Sequence, residues 1–254
     1  MTAADIIRIK DLLPTAMGSD ELREQVAADI LRRSVFSARM ESARYLARVR
    51  DVCAEFADGG MNLADARMRL TQTLSAMGHD TAHTHGITDP ASIRRINLVV
   101  ETQAETAAGA ARVNSQTDGT LYAFPAWELV RYEGRRMQRD WAARWKAAGN
   151  AVGWEGVSRD YGRMVALKDS PIWQALGNGA GGYRDTLGNP YPPFAFNSGM
   201  DWDGVRRDEC VELGLIGEGG RDGARPSQVS LAPSEDELSE AVQRTGIDVS
   251  RGLQ

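Results

Sequence analysis

Apolar side chains recur at three- and four-residue intervals through the first 115 residues of the chain, and this periodicity then stops. Leu22, Val26 and Ile30 lie four residues apart. After Asn62, a residue type that caps helices, the spacing returns in Leu63, Ala66, Leu70, Leu74 and Met77. A repeat of this period places apolar side chains on one face of a helix, which must pack against other helices to be buried. Residues 1–118 are therefore predicted to form a helical N-terminal unit.

Glycine and proline set the expected bounds of these helices. The first helical segment covers residues 19–57, as one long helix or two abutting ones, with Ser19 as its N-cap and Gly59 as its stop. Gly78 ends the second segment. The third begins at Asp89-Pro90, because proline is favoured in the first turn of a helix. Its expected inner face consists of Ile93, Ile96, Val100, Ala104, Ala107 and Ala111.

Tryptophan, glycine and proline dominate the sequence that follows. Residues 121–133 (LYAFPAWELVRYE) favour one or two strands interrupted at Pro125, because aromatic and branched residues are enriched in strands and proline is not. A further brief strand is expected at residues 163–167. Residues 119–216 are therefore predicted to form a small irregular domain with short strands, and the fold class is α+β.

The last part of the chain, residues 217–254, is poor in large apolar residues and is predicted to be an extended or disordered arm. Ser234 and Glu237 form a capping box, which predicts one short helix there. Leu238 and Val242 give that helix a thin apolar stripe. A helix of this length is marginal alone in water. We therefore expect it to be disordered in the free protein and to become helical on a neighbouring subunit or on the portal.

Charge and cysteine content exclude several classes of protein. The net charge is −5, so the chain has no general attraction for nucleic acid or for an anionic membrane, and DNA contact is possible but not indicated by the charge. Cys53 and Cys210 are far apart and form no paired motif. No run approaches the roughly 18 apolar residues of a membrane span. The first ten residues lack a secretory signal, so synthesis in the cytoplasm is expected.

The histidines of the chain lie together in one segment, His79, His83 and His85 (HDTAHTH). Imidazoles at this spacing could bind zinc or nickel, with Asp80 or Asp89 as a fourth ligand. The alternative is a polar loop after the preceding helix. We favour the loop, because such metal sites usually include a carboxylate or cysteine at a defined distance.

A glycine-rich segment, residues 177–182 (GNGAGG), could bind phosphate through its backbone N–H groups. A phosphate-binding loop also needs a preceding strand, a following helix and usually a Lys-Ser/Thr pair. None of these is evident, so a flexible surface loop is favoured.

Six tryptophans lie in the second half of the chain, beside several arginines. They could stack on bases while the arginines bind phosphates, but a core for a domain with few aliphatic residues is favoured. Trp141, Trp145 and Ala148 share one face of a short helix. The arginines, Arg135, Arg136, Arg139 and Arg144, are then expected at a surface facing solvent or a partner.

No arrangement of nucleophile and base is evident. Asp201 and Asp203 are interpreted as loop residues, and Asp208 and Glu209 as the start of a helix. We therefore predict no catalytic, cofactor-binding or metal-binding residue, and no enzyme activity.

The order of segments along the chain resembles that of the head morphogenesis family, the minor head proteins of phage Mu and its relatives. The resemblance covers roughly residues 19–216. The segments that carry it are 34–40 (SVFSARM), 60–70 (GMNLADARMRL), 97–112 (NLVVETQAETAAGAAR), 124–132 (FPAWELVRY), the arginine-rich residues 135–145, 169–173 (DSPIW) and 191–199 (YPPFAFNSG). Two positions depart from the family pattern. Residues 136–141 lack the usual histidine, and Ser198-Gly199-Met200 replaces a closing Cys-Arg-Cys.

The resemblance implies a structural protein of a tailed-phage head. It implies contact with the portal and/or the major capsid protein, multiple copies per virion and synthesis in the bacterial host cytoplasm. One alternative is a head–tail connector or tail component of the virion. Another is an enzyme domain, an ADP-ribosyltransferase or nuclease, carried by a phage protein.

Overall fold

The computed structural model describes residues 1–84, 86–135, 137–154, 162–218, 225–231 and 235–244. The chain divides into two units, an N-terminal unit of Met1–Ala111 with Ser230–Gln254, and a second unit of Arg112–Val229. Helices come first and the sheets are small, so the predicted α+β class is confirmed. Among the helices of the described ranges, none combines the length and the apolar character needed to cross a bilayer.

The elements follow one another in this order: α1 Ala3–Arg8, β1 Asp11–Leu12, α2 Ser19–Gln25, α3 Ala28–Arg33, β2 Ser34–Val35, α4 Ala43–Ala57, α5 Leu63–Ala76, α6 Ile93–Asn114, α7 Asp118–Ala123, β3 Ala126–Arg131, α8 Trp141–Ala151, β4 Val165–Leu167, α9 Ile172–Gly177, β5 Met200–Val205, α10 Arg207–Glu212 and α11 Glu235–Arg244.

The helical segment predicted for residues 19–57 is broken into three helices and a short strand. Val26 takes an extended conformation and ends α2. Ser34 ends α3 because β2 pairs in parallel with β1, with Leu12 opposite Val35. The predicted cap is also wrong by one residue: Gly18 is the N-cap of α2, and its N–H donates to Glu21 Oε2 at 2.6 Å.

Helices α4 and α5 confirm the predicted stops and cap. Gly59 and Gly78 follow them with φ of +78° and +85°, a conformation that favours glycine. The Asn62 side chain accepts from the Asp65 N–H at 3.0 Å at the start of α5. Leu70 and its neighbours at helical spacing are buried, and α4 packs against α1 and α5.

Helix α6 starts later than predicted. Ser92 caps it by accepting from the Arg95 N–H at 3.2 Å, whereas Asp89 accepts from the Ala91 N–H in the preceding turn. Ile93 is 56% exposed and does not belong to the inner face. Ala104 and Ala111 are half-buried, and the buried side chains of the helix are Ile96, Val100, Gln103, Thr106, Ala107, Ala110 and Val113.

The second unit contains an antiparallel sheet of order β4-β3-β5. Strand β3 begins after Pro125, but residues 118–123 form α7 rather than a strand, because Thr117 caps a helix there and accepts from the Thr120 N–H at 3.2 Å. Strand β4 confirms the strand expected at residues 163–167. Strand β5 and helix α9 were not predicted.

The short helix predicted near the C-terminus is present as α11, but it is not part of an arm. Ala241 is 2% exposed and lies in the apolar core of the N-terminal unit, with Val242 packed against the same core. The proposed cap Ser234 and the side chain of Leu238 lie outside the described residues. The helix packs against an apolar surface of its own chain.

Candidate functional site

Tryptophan side chains form the centre of the second unit. The rings of Trp127 on β3 and Trp202 on β5 stack, with centroids 3.8 Å apart and planes 10° apart. Trp173 on α9 meets both rings edge-on, at 6.1 and 5.1 Å. Trp141 and Trp145 on α8 are buried in the same unit. The core interpretation is therefore confirmed for these five, while the indole of Trp154 donates to an exposed Asn150 side chain at 2.7 Å.

Four of the seven sequence segments that carry the family resemblance contribute aromatic side chains to this core, and one of them, residues 135–145, contains Trp141 and Trp145. Trp127 comes from FPAWELVRY, Trp173 from DSPIW and Phe194 from YPPFAFNSG. Phe194 is fully buried, and its ring lies 6.2 Å from that of Trp173 and 5.9 Å from that of Trp202. The carbonyl of Pro193 accepts from the buried Asn189 side chain at 2.8 Å. These residues therefore hold the fold of the second unit together.

Two tryptophans of the core differ in whether the indole N–H has a partner, which gives a matched pair of substitutions. Trp173 Nε1 donates to the Leu167 carbonyl at 2.9 Å, whereas Trp145 Nε1 is buried with no acceptor among the described residues. An unsatisfied buried donor costs about 1–3 kcal/mol. We expect Trp145→Phe to change the free energy of unfolding by less than about 1 kcal/mol, because relief of that cost offsets the lost contacts.

Trp173→Phe is expected to cost about 1–2 kcal/mol more than Trp145→Phe, because it removes a satisfied hydrogen bond whereas Trp145→Phe removes an unsatisfied donor. The Leu167 carbonyl keeps its bond from the Ser170 N–H at 3.0 Å. Urea unfolding of the two variants and the wild type measures the difference. Equal losses, or a larger loss at Trp145, would contradict the hydrogen bonding described above.

An ion-pair network joins α8 to the loop that follows α9. Arg144 Nη2 donates to both carboxylate oxygens of Asp185, at 2.8 and 2.9 Å, and the guanidinium lies 4.3 Å from the Tyr183 ring. Arg139 Nε contacts the same carboxylate at 2.7 Å. The Arg144 side chain is only 9% exposed, so its predicted position at a surface is wrong. Arg135 pairs with Glu133 at 2.6 Å.

Burial opposes the ionisation of Asp185, but the hydrogen bonds and charge of Arg144, helped by Arg139, outweigh it and hold the pKa of this carboxyl below its usual range. Both arginines are thus engaged with a carboxylate of their own unit. Arg136, the remaining member of the predicted set, lies outside the described residues.

The glycine-rich segment is packed rather than free at its first residue. Gly177 is buried at the end of α9, and its carbonyl accepts from the Gly188 N–H at 2.8 Å. Gly179 takes a φ of +77° and lies close to the Tyr183 carbonyl. The prediction of a flexible surface loop is therefore wrong for Gly177, because a second stretch of backbone packs against it.

The histidine segment is an exposed turn in its described part. Asp80 Oδ1 accepts from the backbone N–H groups of Ala82 and His83, and its other oxygen lies 3.1 Å from His83 Nδ1. The His83 side chain is 82% exposed. His85 lies outside the described residues, and within them no three potential metal-binding side chains come together.

The acidic residues near the end of the second unit lie on the sheet and on α10. Asp201 and Asp203 belong to β5, not to a loop as predicted. Arg112 binds Asp201 at 2.8 Å, and the Tyr132 hydroxyl donates to Asp203 at 2.9 Å. The prediction for Asp208 and Glu209 is confirmed, since both lie in the first turn of α10.

Arg163 joins the sheet to α10 in the same unit. Its guanidinium forms ion pairs with Glu128 of β3 and Glu209 of α10. Glu128 lies directly opposite Asp203 across the β3–β5 pair. The arginine therefore offsets the repulsion that two acids facing each other across strands would cause.

Both cysteines are buried thiols. Burial raises the pKa of Cys53 to about 12 and that of Cys210 to about 11. A thiolate is the nucleophilic form of cysteine, so neither side chain has the properties of a reactive cysteine.

Two buried lysines escaped the sequence analysis. Burial lowers the pKa values of Lys10 and Lys168 to about 8, and their Nζ atoms donate to the side-chain oxygens of Gln103 at 2.8 Å and Gln116 at 2.7 Å. The chain has one other lysine, Lys146, against many arginines. That scarcity was the available signal, because a lysine can lose its charge when buried and an arginine cannot.

An open groove on the second unit is the candidate contact surface. It has a volume of about 570 Å³ and is lined by Ala123, Phe124, Arg206, Arg207, Asp208, Val211 and Glu218. Phe124 is 41% exposed, and Tyr122, 57% exposed, stacks against the Arg207 guanidinium at 4.3 Å. Exposed aromatic and arginine side chains are the residue types enriched in protein interfaces. The sequence analysis did not single out Tyr122, Arg206 or Arg207.

No protein-family model, curated protein or solved structure matches this chain.

Proposed function

We propose that this chain is a structural component of a tailed-phage head, a minor head protein that contacts the portal or the major capsid protein in multiple copies. The observation that carries the proposal is the ordered series of segments that resembles the head morphogenesis family. The aromatic core supports it, because Trp127, Trp173 and Phe194 come from three separate segments of that series and pack together. Their shared packing accounts for the occurrence of these segments in one chain.

The proposal assigns no catalytic role to the chain. The arginines that sequence analysis had placed near the tryptophans, Arg139 and Arg144, bind Asp185 instead of facing a cleft. Cys53 and Cys210 are buried and protonated at neutral pH. These contacts are of the kind that holds a scaffold in shape, which supports an assembly role.

Within this proposal, the groove beside Phe124 is the surface through which the second unit meets its partner in the head. Arginine and aromatic side chains account for a large share of the binding energy at protein interfaces. Phe124, Tyr122 and Arg207 present both chemistries side by side.

Purified virions are expected to contain this chain at low copy number relative to the major capsid protein. Mass spectrometry of gradient-purified particles tests this, with a cytoplasmic host protein of similar abundance in the lysate as the control for carry-over. Particles that contain the major capsid protein but none of this chain would contradict the proposal.

A further inference from the structure

Helix α11 lies in an apolar seat on the N-terminal unit. We call the α11 seat the buried side chains Leu13, Leu22, Val26 and Ala38, which form one cluster with Ala241 of the helix. The side chains packed around this cluster are Met17, Ile30, Leu31, Phe36 and, from the helix, Val242. Ala241 and Val242 of the helix therefore pack against this apolar cluster.

One arginine at the edge of the seat fixes the position of the helix. Arg33 Nη1 donates to Glu237 Oε2 at 3.2 Å, and Nη2 donates to Oε1 at 3.1 Å. Nη2 also donates to Asp29 at 2.7 Å, and Nη1 to the Ser230 hydroxyl at 3.3 Å. The Arg33 side chain is 6% exposed. A two-pronged pair of this kind selects both the charge and the direction of the group it binds.

The contacts that α11 makes with the seat come from a short, separate segment. Glu237, Ala241 and Val242 belong to a helix of ten residues, which is marginal in water when it is not packed. Before it, residues 213–218 and 225–231 contain no helix or strand. Any copy of the chain that brings its own α11 to this seat would make the same contacts as the resident helix.

We infer that α11 is exchanged between copies of this chain, so that the α11 seat of one copy binds α11 of a second copy. Exchange of an identical element conserves every contact, and the balance between the two arrangements then depends on the local concentration of copies. The inference rests on the proposed function, since multiple copies in one particle provide that concentration. It names the second copy as the partner because every copy carries both the seat with Arg33 and the helix with Glu237, Ala241 and Val242 that fits it.

Two charge reversals test the exchange in the full-length chain. Arg33→Glu places an acid beside Glu237 and Asp29, and Glu237→Arg places a second base beside Arg33. Each variant alone is expected to lose roughly tenfold or more of the hydrogen-exchange protection of residues 235–244. A small loss of interaction free energy is enough to shift the equilibrium between the bound and the released helix by that factor. When the two are mixed, each seat meets a helix of opposite charge on the other chain. Protection should return, and light scattering should report a species of twice the monomer mass.

Arg8→Glu, on the exposed face of α1, is the matched control and should neither lose protection in residues 235–244 nor respond to mixing. A mixture in which residues 235–244 stay as unprotected as in the separate variants would overturn the inference. So would a mixture that regains protection while both chains remain monomers.

A second measurement uses the wild-type chain and so does not depend on the folding of the charge variants. Donor and acceptor dyes on the terminal amine of Met1, which is 69% exposed, report association when two labelled batches are mixed. Energy transfer should rise with concentration and fall in Glu237→Gln. Transfer that stays at background over the whole concentration range would overturn the inference. Neither measurement uses virions, so a failure here is distinct from absence of the chain in particles.

Discussion

Gly177→Ala is expected to destabilise the second unit by about 3–5 kcal/mol, enough to unfold it or nearly so. A Cβ atom at Gly177 would lie 1.7 Å from the carbonyl oxygen of Asn189 and 2.7 Å from its carbonyl carbon. Both are backbone atoms, so no side-chain rotation relieves the clash. The loop must move instead, and the buried Asn189 side chain that binds the Pro193 carbonyl moves with it.

Chemical unfolding followed by tryptophan fluorescence measures this loss, since five tryptophans form the core of the same unit. Gly134→Ala is the control, because a Cβ there meets nothing within 4 Å and the backbone needs no left-handed conformation. It should change the free energy of unfolding by less than about 0.5 kcal/mol. A Gly177→Ala protein within 1 kcal/mol of the wild type would show that the two backbones are not in contact.

Gly177 also shows where sequence reasoning about this chain ends. The composition of residues 177–182 predicted a loop, and helix α9, which was not predicted, ends at Gly177 where that segment begins. The composition gave no sign that one glycine of the six residues faces backbone twelve positions later. Close approach of two backbones is a tertiary property, and nothing near Gly177 in the sequence encodes the position of Asn189.

The helices follow the same division between local and long-range causes. The periodicity of α4, α5 and α8, the cap of α5 and the stops of α4 and α5 were predictable because each depends on residues within a few positions. The break before α4 was not, because β2 exists only through its pairing with β1, and Val35 lies 23 positions from its partner Leu12. The apolar stripe of α11 likewise predicted a helix but not the seat that covers it.

Strand β5 escaped prediction for a related reason. Its sequence MDWDGV contains two aspartates and a glycine, which are uncommon in strands. The strand forms because β3 pairs with it along its whole length, while Arg112 binds Asp201 and the Tyr132 hydroxyl binds Asp203. Arg112 and Tyr132 lie about 70 to 90 positions before the aspartates that they bind.

The charged groups near the tryptophans also depend on a partner that is distant in the sequence. Sequence analysis found Arg139 and Arg144 but could not find Asp185, the carboxylate they share. Without that partner, two arginines beside tryptophans suggest a surface for phosphates or a partner protein. With Asp185 between them, the two arginines form ion pairs that hold α8 to the loop that follows α9.

Asp185→Asn is therefore expected to destabilise the second unit by about 2–3 kcal/mol. Loss of one partner of a fully buried ion pair costs about 3–5 kcal/mol, because the remaining charge stays buried without compensation. Arg144, 9% exposed, is in that position, but the Asp185 side chain is 38% exposed and solvent reduces the cost. The variant also leaves Arg139 and Arg144 beside each other with no anion between them.

Asp201→Asn is the matched control, since the Asp201 side chain is exposed to a similar extent, 35% against 38% for Asp185, but its partner Arg112 is 43% exposed whereas Arg144 is 9% exposed. Exposed pairs of this kind contribute less than about 1 kcal/mol. Chemical unfolding of the two variants at neutral pH measures the difference. Equal losses would show that the Arg144–Asp185 pair is no more buried than the surface pair.

The pH dependence of the Asp185→Asn effect separates loss of charge from loss of shape. In the folded protein the pKa of Asp185 lies below the ordinary value of about 4. The contribution of its charge to the free energy of unfolding is therefore fully present above that ordinary value, and it is lost as the pH falls through the pKa of the folded state. The wild type should therefore exceed Asp185→Asn in stability at pH 7, and the two should converge below about pH 4. A difference that persists unchanged into acid would assign the effect to altered packing of the loop and not to the ion pair with Arg144.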